Sequence, residues 1–192
     1  LDGWVRQIIG ANMPVVHTSQ SQHTIQLGAI EAPRLWPEMG FVIPVHSLAS
    51  NRLDKLISRQ VWPHQDRPAL QRRQLEGMLT GFMDVVFCHA GRYYVLDYKS
   101  NRLASYEQPQ LQQAMLAHRY DVQATLYLLA LHRLLKSRLP GYNYDQHVGG
   151  ALYLFLRGVD QPGAGLLQLS PPCTVIESLD AAFSQSWPGE TA

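Results

Sequence analysis

Two carboxylates and a lysine stand out for their chemistry: Asp84, then Asp97 and Lys99 within Asp97-Tyr98-Lys99. Val85-Val86-Phe87 follows Asp84, and Tyr93-Tyr94-Val95-Leu96 precedes Asp97. Both runs are β-branched and aromatic, which favours strands. Ala90-Gly91 between them reads as a two-residue hairpin turn, although Ala-Gly is a weaker turn signal than Asn-Gly. That turn sets Asp84 directly opposite Asp97, and opposed residues of an antiparallel pair share a face. Strand alternation brings Lys99 to the same face. Two opposed carboxylates repel unless a cation lies between them. Oxygen ligands suit Mg2+, usually held by one or two carboxylates together with water and substrate phosphates.

The surrounding elements must hold that hairpin, read as roughly 77–99. Both of its faces are apolar, as in a sheet covered on both sides. Leu1, Trp4, Val5, Ile8 and Ile9 fall at helical spacing. Residues 13–33 read as polar loop with at most a short ordered piece. Glu38 to Val45 reads as a strand with Pro44 at its end or edge. Residues 48–57 read as a helical turn or two, and 61–69 as loop. Residues 110–139 carry no Pro or Gly and predict a long helix, started by Pro109 and stopped by Pro140-Gly141. Asp121 marks a kink in it or a break into two helices. Val148 to Leu156 predicts a strand near the sheet centre, 158–172 a loop, and Thr174 to Trp187 a final helix. This order describes an α/β sandwich around a mixed sheet, in which a helix crossover returns one strand beside the hairpin.

Composition narrows the function classes. The 192 residues are 46% hydrophobic and carry a net charge of +1, so overall charge gives no argument for nucleic-acid binding. Charged residues make up 16%, below the roughly 25% usual for soluble domains, as expected of a surface partly covered by other protein. Arg72-Arg73 and the group His132, Arg133, Lys136 and Arg138 read as ordinary solvated surface. No apolar run reaches the ~20 residues of a membrane helix, and there is no secretory leader. Cys88 and Cys173 form no CxxC pair and fall short of the four thiolates of an iron–sulfur cluster. Cys88 reads as a small core residue.

The motifs together carry a resemblance. Asp84 with Asp97-Tyr98-Lys99 resembles the PD-(D/E)XK nuclease superfamily. Residues 91–101 (GRYYVLDYKSN), Gln123-Ala124-Thr125-Leu126-Tyr127 and residues 149–160 (GGALYLFLRGVD) resemble its RecB-type nuclease domains. The close similarity covers about residues 77–160. It implies a restriction-endonuclease-like α/β sandwich with a central mixed β-sheet flanked by helices. It implies Asp84, Asp97 and the Tyr98 carbonyl as metal ligands and Lys99 as the catalytic lysine. Gln123 and Tyr127 match the QxxxY motif, and Glu38 the upstream glutamate. The implied cofactor is Mg2+, and the implied reaction is hydrolysis of single-stranded DNA in double-strand-break repair and recombination. The implied setting is a cytoplasmic, ATP-dependent helicase–nuclease of exonuclease V type. RecC-like and RecD-like subunits are its implied partners, with RecA docking a further one.

One departure stands out. RecB-type domains carry a metal-binding histidine within a GT-x-x-H stretch of an N-terminal helix. No such stretch occurs here, and the surroundings of His17 and His23 do not match it. We therefore expect one nuclease domain over 1–192, a fragment that starts downstream of that helix and of the helicase domains and that is weakly active or inactive alone. Two alternatives are a non-catalytic nuclease-like domain that threads DNA or docks RecA or a RecC-like subunit, and a cluster-bearing nuclease of the same superfamily. The cysteine count nearly excludes the second.

Overall fold

The computed structural model describes residues 2–16, 22–161 and 163–184. A five-stranded sheet runs in the order β3 (Leu35–Ala49), β4 (Gln74–His89), β5 (Arg92–Lys99), β6 (Val148–Phe155) and β7 (Leu166–Leu169). Only β5 and β6 are parallel; the other neighbours are antiparallel. The mixed sheet flanked by helices is the expected class. The β4–β5 register is also as expected, with Val85 opposite Leu96 and His89 opposite Arg92. Ala90 and Gly91 both have positive φ, 49° and 78°, the backbone of a type I′ turn, whose twist matches that of the strands it joins.

The faces bury different partners. On one lie α2 (Ser50–Gln60), α3 (Gln108–Ala117), α4 (Tyr120–Arg138), the short α5 (Tyr144–His147) and α6 (Cys173–Ser184). Ile57, Leu111, Met115, Leu128, Leu131, Ile176 and Phe183 pack there against Ile43, Met83, Val86, Val95 and Phe155. The other face buries Val85, Phe87, Tyr94, Leu96, Leu152 and Leu154 against a small antiparallel ribbon, β1 (Met13–Val16) with β2 (Gln22–Ile25). α1 (Asp2–Ile9) adds Ile8 to this second core.

Several elements differ from the sequence reading. Residues 13–33 hold the β1–β2 ribbon and two 3-10 turns where loop was expected. β7 emerges from a Gly/Pro-rich loop. Its edge is satisfied by side chains: Gln108 Nε2 donates to the Leu166 carbonyl, while Gln168 exchanges hydrogen bonds with the Val16 backbone. His132 is 3% exposed and bonded to the Tyr142 hydroxyl, and Arg133 pairs with Asp180, so that basic group is not simply solvated. Cys88 is half-buried, short of a full core position. His17 and the end of the last predicted helix, 185–187, lie outside the described residues.

The 110–139 run divides at Arg119, whose φ is 55°. The cause is a buried ionic knot. Asp121, fully buried, receives Arg67 at 2.7 Å and Arg119 at 3.1 Å, and Arg119 also reaches Asp54 at 2.7 Å. A straight helix could not turn Arg119 back onto Asp121 while tying the 61–70 loop and α2 to the start of α4.

β3 and β4 change faces together. Met39, Phe41, Ile43 and Val45 of β3, with Leu79 and Met83 of β4, pack toward the helices. Below them the parity reverses: Trp36 and Val86 face the helices, while Leu35, Val85 and Phe87 face the ribbon. The pairing itself holds, with Pro37 opposite Val85 and Met39 opposite Met83. Both switches fall on one row, occupied by Glu38 (φ 48°) and Asp84.

Candidate active site

Asp84 sits at that row, where β4 leaves its two-stranded run with β3 and gains β5 as second neighbour. Its Oδ2 accepts the Tyr98 backbone N–H at 2.9 Å, which ties it across to β5. Asp97, next along β5 from buried Leu96, is 3% exposed. Burial raises its carboxyl above the ordinary value; Lys99 opposes that rise, and the nearby Asp84 charge adds to it. Lys99 Nζ pairs with the buried Asp97 Oδ2 at 2.6 Å, and the Tyr127 hydroxyl also faces this carboxylate. An anionic oxygen so placed favours a cation. Asp84 and Asp97, two hard carboxylates on adjacent strands, are the donor set that a divalent ion of the Mg2+ type takes.

α4 supplies the next layer. Gln123 and Tyr127, one turn apart, point to the same side, and Gln123 Nε2 donates to the Tyr127 hydroxyl at 2.8 Å. Gln123 Oε1 accepts from Lys99 Nζ at 3.1 Å and from the Tyr153 hydroxyl at 3.1 Å. Burial, with the charges of Asp97 and Asp84, pushes the Tyr127 hydroxyl far up, so it stays protonated and can only donate or accept as a neutral group. Tyr120 and Tyr153 flank the lysine: Lys99 Nζ lies 3.9 Å from the Tyr120 ring centroid and 5.3 Å from that of Tyr153.

The structure therefore gathers Asp84, Asp97, Lys99, Gln123 and Tyr127. The Tyr98 ring packs into the ribbon-side core, and its backbone joins Asp84. Glu38 shares Asp84's row but is exposed and takes no part in the polar network of the site. Among the described residues no group of three or more His, Cys, Asp or Glu side chains is placed to hold a metal, so Glu38 and His23 do not extend the carboxylate pair. The sequence reading gave Tyr153 and Tyr120 no part in the site. Tyr153 lies opposite Asp97 in the parallel β5–β6 ladder, a register that no local signal encodes. Tyr120 opens α4 right after the Arg119 break.

Similarity to known proteins agrees with this geometry. The PD-(D/E)XK nuclease superfamily profile matches residues 16–187. RecBCD enzyme subunit RecB of Escherichia coli (strain K12) is 42% identical over 192 residues, covering 96% of this chain and 16% of that protein. RecB of Haemophilus influenzae is 44% identical over 125 residues, 62% of this chain and 10% of the relative. RecB of Mycobacterium tuberculosis (strain ATCC 25618 / H37Rv) is 38% identical over 133 residues, 61% of this chain and 12% of the relative. The chain thus spans only a small part of these relatives, and the similarity lies in their nuclease region. With the profile running across nearly the whole chain, over the hairpin, both carboxylates and the QxxxY helix, this chain belongs to the PD-(D/E)XK nuclease superfamily.

Proposed function

We propose that this chain is the Mg2+-dependent DNA nuclease domain of a RecB-like helicase–nuclease, cutting single-stranded DNA during double-strand-break repair and recombination. The observation that carries the reading is the buried Asp97 carboxylate, with Asp84 beside it and the Lys99 ammonium at 2.6 Å. Asp84, Asp97 and the Tyr98 carbonyl would hold the ion. When bound, it supplies Lewis-acid stabilisation of charge building on the phosphate. Lys99 orients the attacking water and donates to a nonbridging phosphate oxygen as negative charge develops there. Gln123 fixes the Lys99 ammonium, and Tyr127 buttresses Gln123. Water attacks phosphorus in line and gives up a proton to solvent, the P–O bond to the leaving sugar oxygen breaks, and that oxygen takes up a proton from solvent.

The same reading gives the whole protein an ATP-driven motor, RecC-like and RecD-like subunits, a RecA-docking role and a cytoplasmic setting. The RecC-like and RecD-like partners rest on the relatives' being subunits of a RecBCD enzyme, and the motor, RecA docking and cytoplasmic setting on the family resemblance of the motifs. The test is Asp97→Asn in the full-length complex. Mg2+-dependent cleavage of single-stranded DNA should fall by at least about a hundredfold, the scale of removing one charge-stabilising group, while unwinding persists. Cleavage at the wild-type rate would refute the assignment.

A further inference from the structure

We infer that Tyr120 is a positioning residue for the reaction, holding the Lys99 ammonium by its π-face; the inference rests on the nuclease reading above. A lysine ammonium at the end of a flexible four-carbon stem is a poor device for fixing a water or phosphate unless something restrains it. Here two polar contacts restrain it from one side, Asp97 Oδ2 at 2.6 Å and Gln123 Oε1 at 3.1 Å. The Tyr120 ring closes another side, 3.9 Å from Nζ to its centroid, well inside the roughly 6 Å range of a cation–π contact. The Lys99 side chain is only 11% exposed, so water screens this contact weakly.

The ring is itself held in place. Tyr120 stacks on Tyr153, with centroids 5.9 Å apart and planes 22° apart, and the Tyr153 hydroxyl shares its one proton between Gln123 Oε1 at 3.1 Å and the Tyr120 carbonyl at 3.3 Å. His118 stacks on it at 5.2 Å and 22° and reaches Asn101, just past the DxK strand, at 3.1 Å. The helix break at Arg119 makes this arrangement, since it sets His118 and Tyr120 ring on ring where a continuous helix would splay residues two apart. The buried Asp121 knot thus fixes the lysine at one remove, by fixing the turn that aims Tyr120.

The clamp acts in the transition state, so its loss should lower kcat and leave KM nearly alone. In the full-length complex, with single-stranded DNA and Mg2+, Tyr120→Leu should lower kcat about tenfold with KM within about twofold. Tyr120→Phe keeps the π-face and should retain at least about half of kcat. Phenylalanines carrying one, two and three ring fluorines, introduced at position 120, keep the shape while draining the π-face, and kcat should fall stepwise along that series. A series flat in fluorine count, or Tyr120→Leu at wild-type kcat, overturns the clamp. A wild-type complex that shows no Mg2+-dependent cleavage refutes the nuclease reading itself, and the clamp's role in catalysis with it.

Discussion

Replacing Asp121 with alanine removes the centre of the buried knot. Asp121 is fully buried, and the side chains of Arg67 and Arg119 are 5% and 10% exposed, so neither guanidinium gains water when its partner goes. Breaking a buried pair by deleting one partner costs about 3–5 kcal/mol, because a buried charge is left uncompensated. Arg67 keeps the Val61 and Trp62 carbonyls, and Arg119 keeps Asp54 and the Pro68 carbonyl. These partners place Asp121→Ala near the lower end, about 3 kcal/mol. For a chain of this size each kcal/mol moves Tm by about 2–4 °C, so melting should fall by about 6–12 °C. Asp180→Ala is the control. Its pair with Arg133 is as short, 2.6 Å, but both side chains are about a quarter exposed, so the loss should stay within about 1 kcal/mol. Urea and thermal unfolding followed by circular dichroism measure both variants. Equal losses from Asp121→Ala and Asp180→Ala would refute the view that the knot, rather than core packing, fixes the start of α4.

Further outcomes follow from single positions. Burial raises the Asp54 carboxyl, but hydrogen bonds from Arg119, the Leu70 N–H and Ser58, with the Arg119 charge, outweigh it and hold the group below its ordinary 3.8. A depressed acid stabilises the fold above its unfolded value and loses that contribution as pH falls through the folded one. The urea midpoint should therefore drop below about pH 4, and Asp54→Asn should flatten that drop. Gly165 has φ 78°, and a Cβ there would meet the Gly158 backbone at 2.7 Å, so Gly165→Ala should cost more than about 3 kcal/mol by urea unfolding. Gly77→Ala, with φ 91° but nothing within 4 Å, should cost only the conformational part, about 1–2 kcal/mol.

How far the site could be read from the chain depended on which contacts were local. The nearness of Asp84 to Asp97 was legible because a two-residue turn sets a hairpin register, which β4 and β5 keep up to Val85 and Leu96, the row beside them. Gln123 and Tyr127 were legible as a pair because four residues make one helix turn. Tyr153 was not, because a parallel register is set by the whole crossover between β5 and β6. The division at Arg119 was foreshadowed by Asp121, but its cause lies in Arg67 and Asp54, far off in sequence. β7 and the β1–β2 ribbon were missed for a related reason. Four-residue strands among Gly and Pro have little pattern of their own, and they hold through glutamine side chains that stand in for a neighbouring strand.

The change of face shared by β3 and β4 bears on how such a site tolerates evolution. On every other row of these strands, a residue turned inward answers to one of the two cores, and a charge there would be punished at once. The Glu38–Asp84 row is the crossing point, where neither core has first claim on the side chains. A carboxylate there displaces no apolar neighbour. A one-residue deletion in either strand would do far more than move a ligand, because it would swap inside for outside along the rest of that strand. Substitutions can therefore retune the chemistry at this row, while the strand lengths on either side of it stay locked.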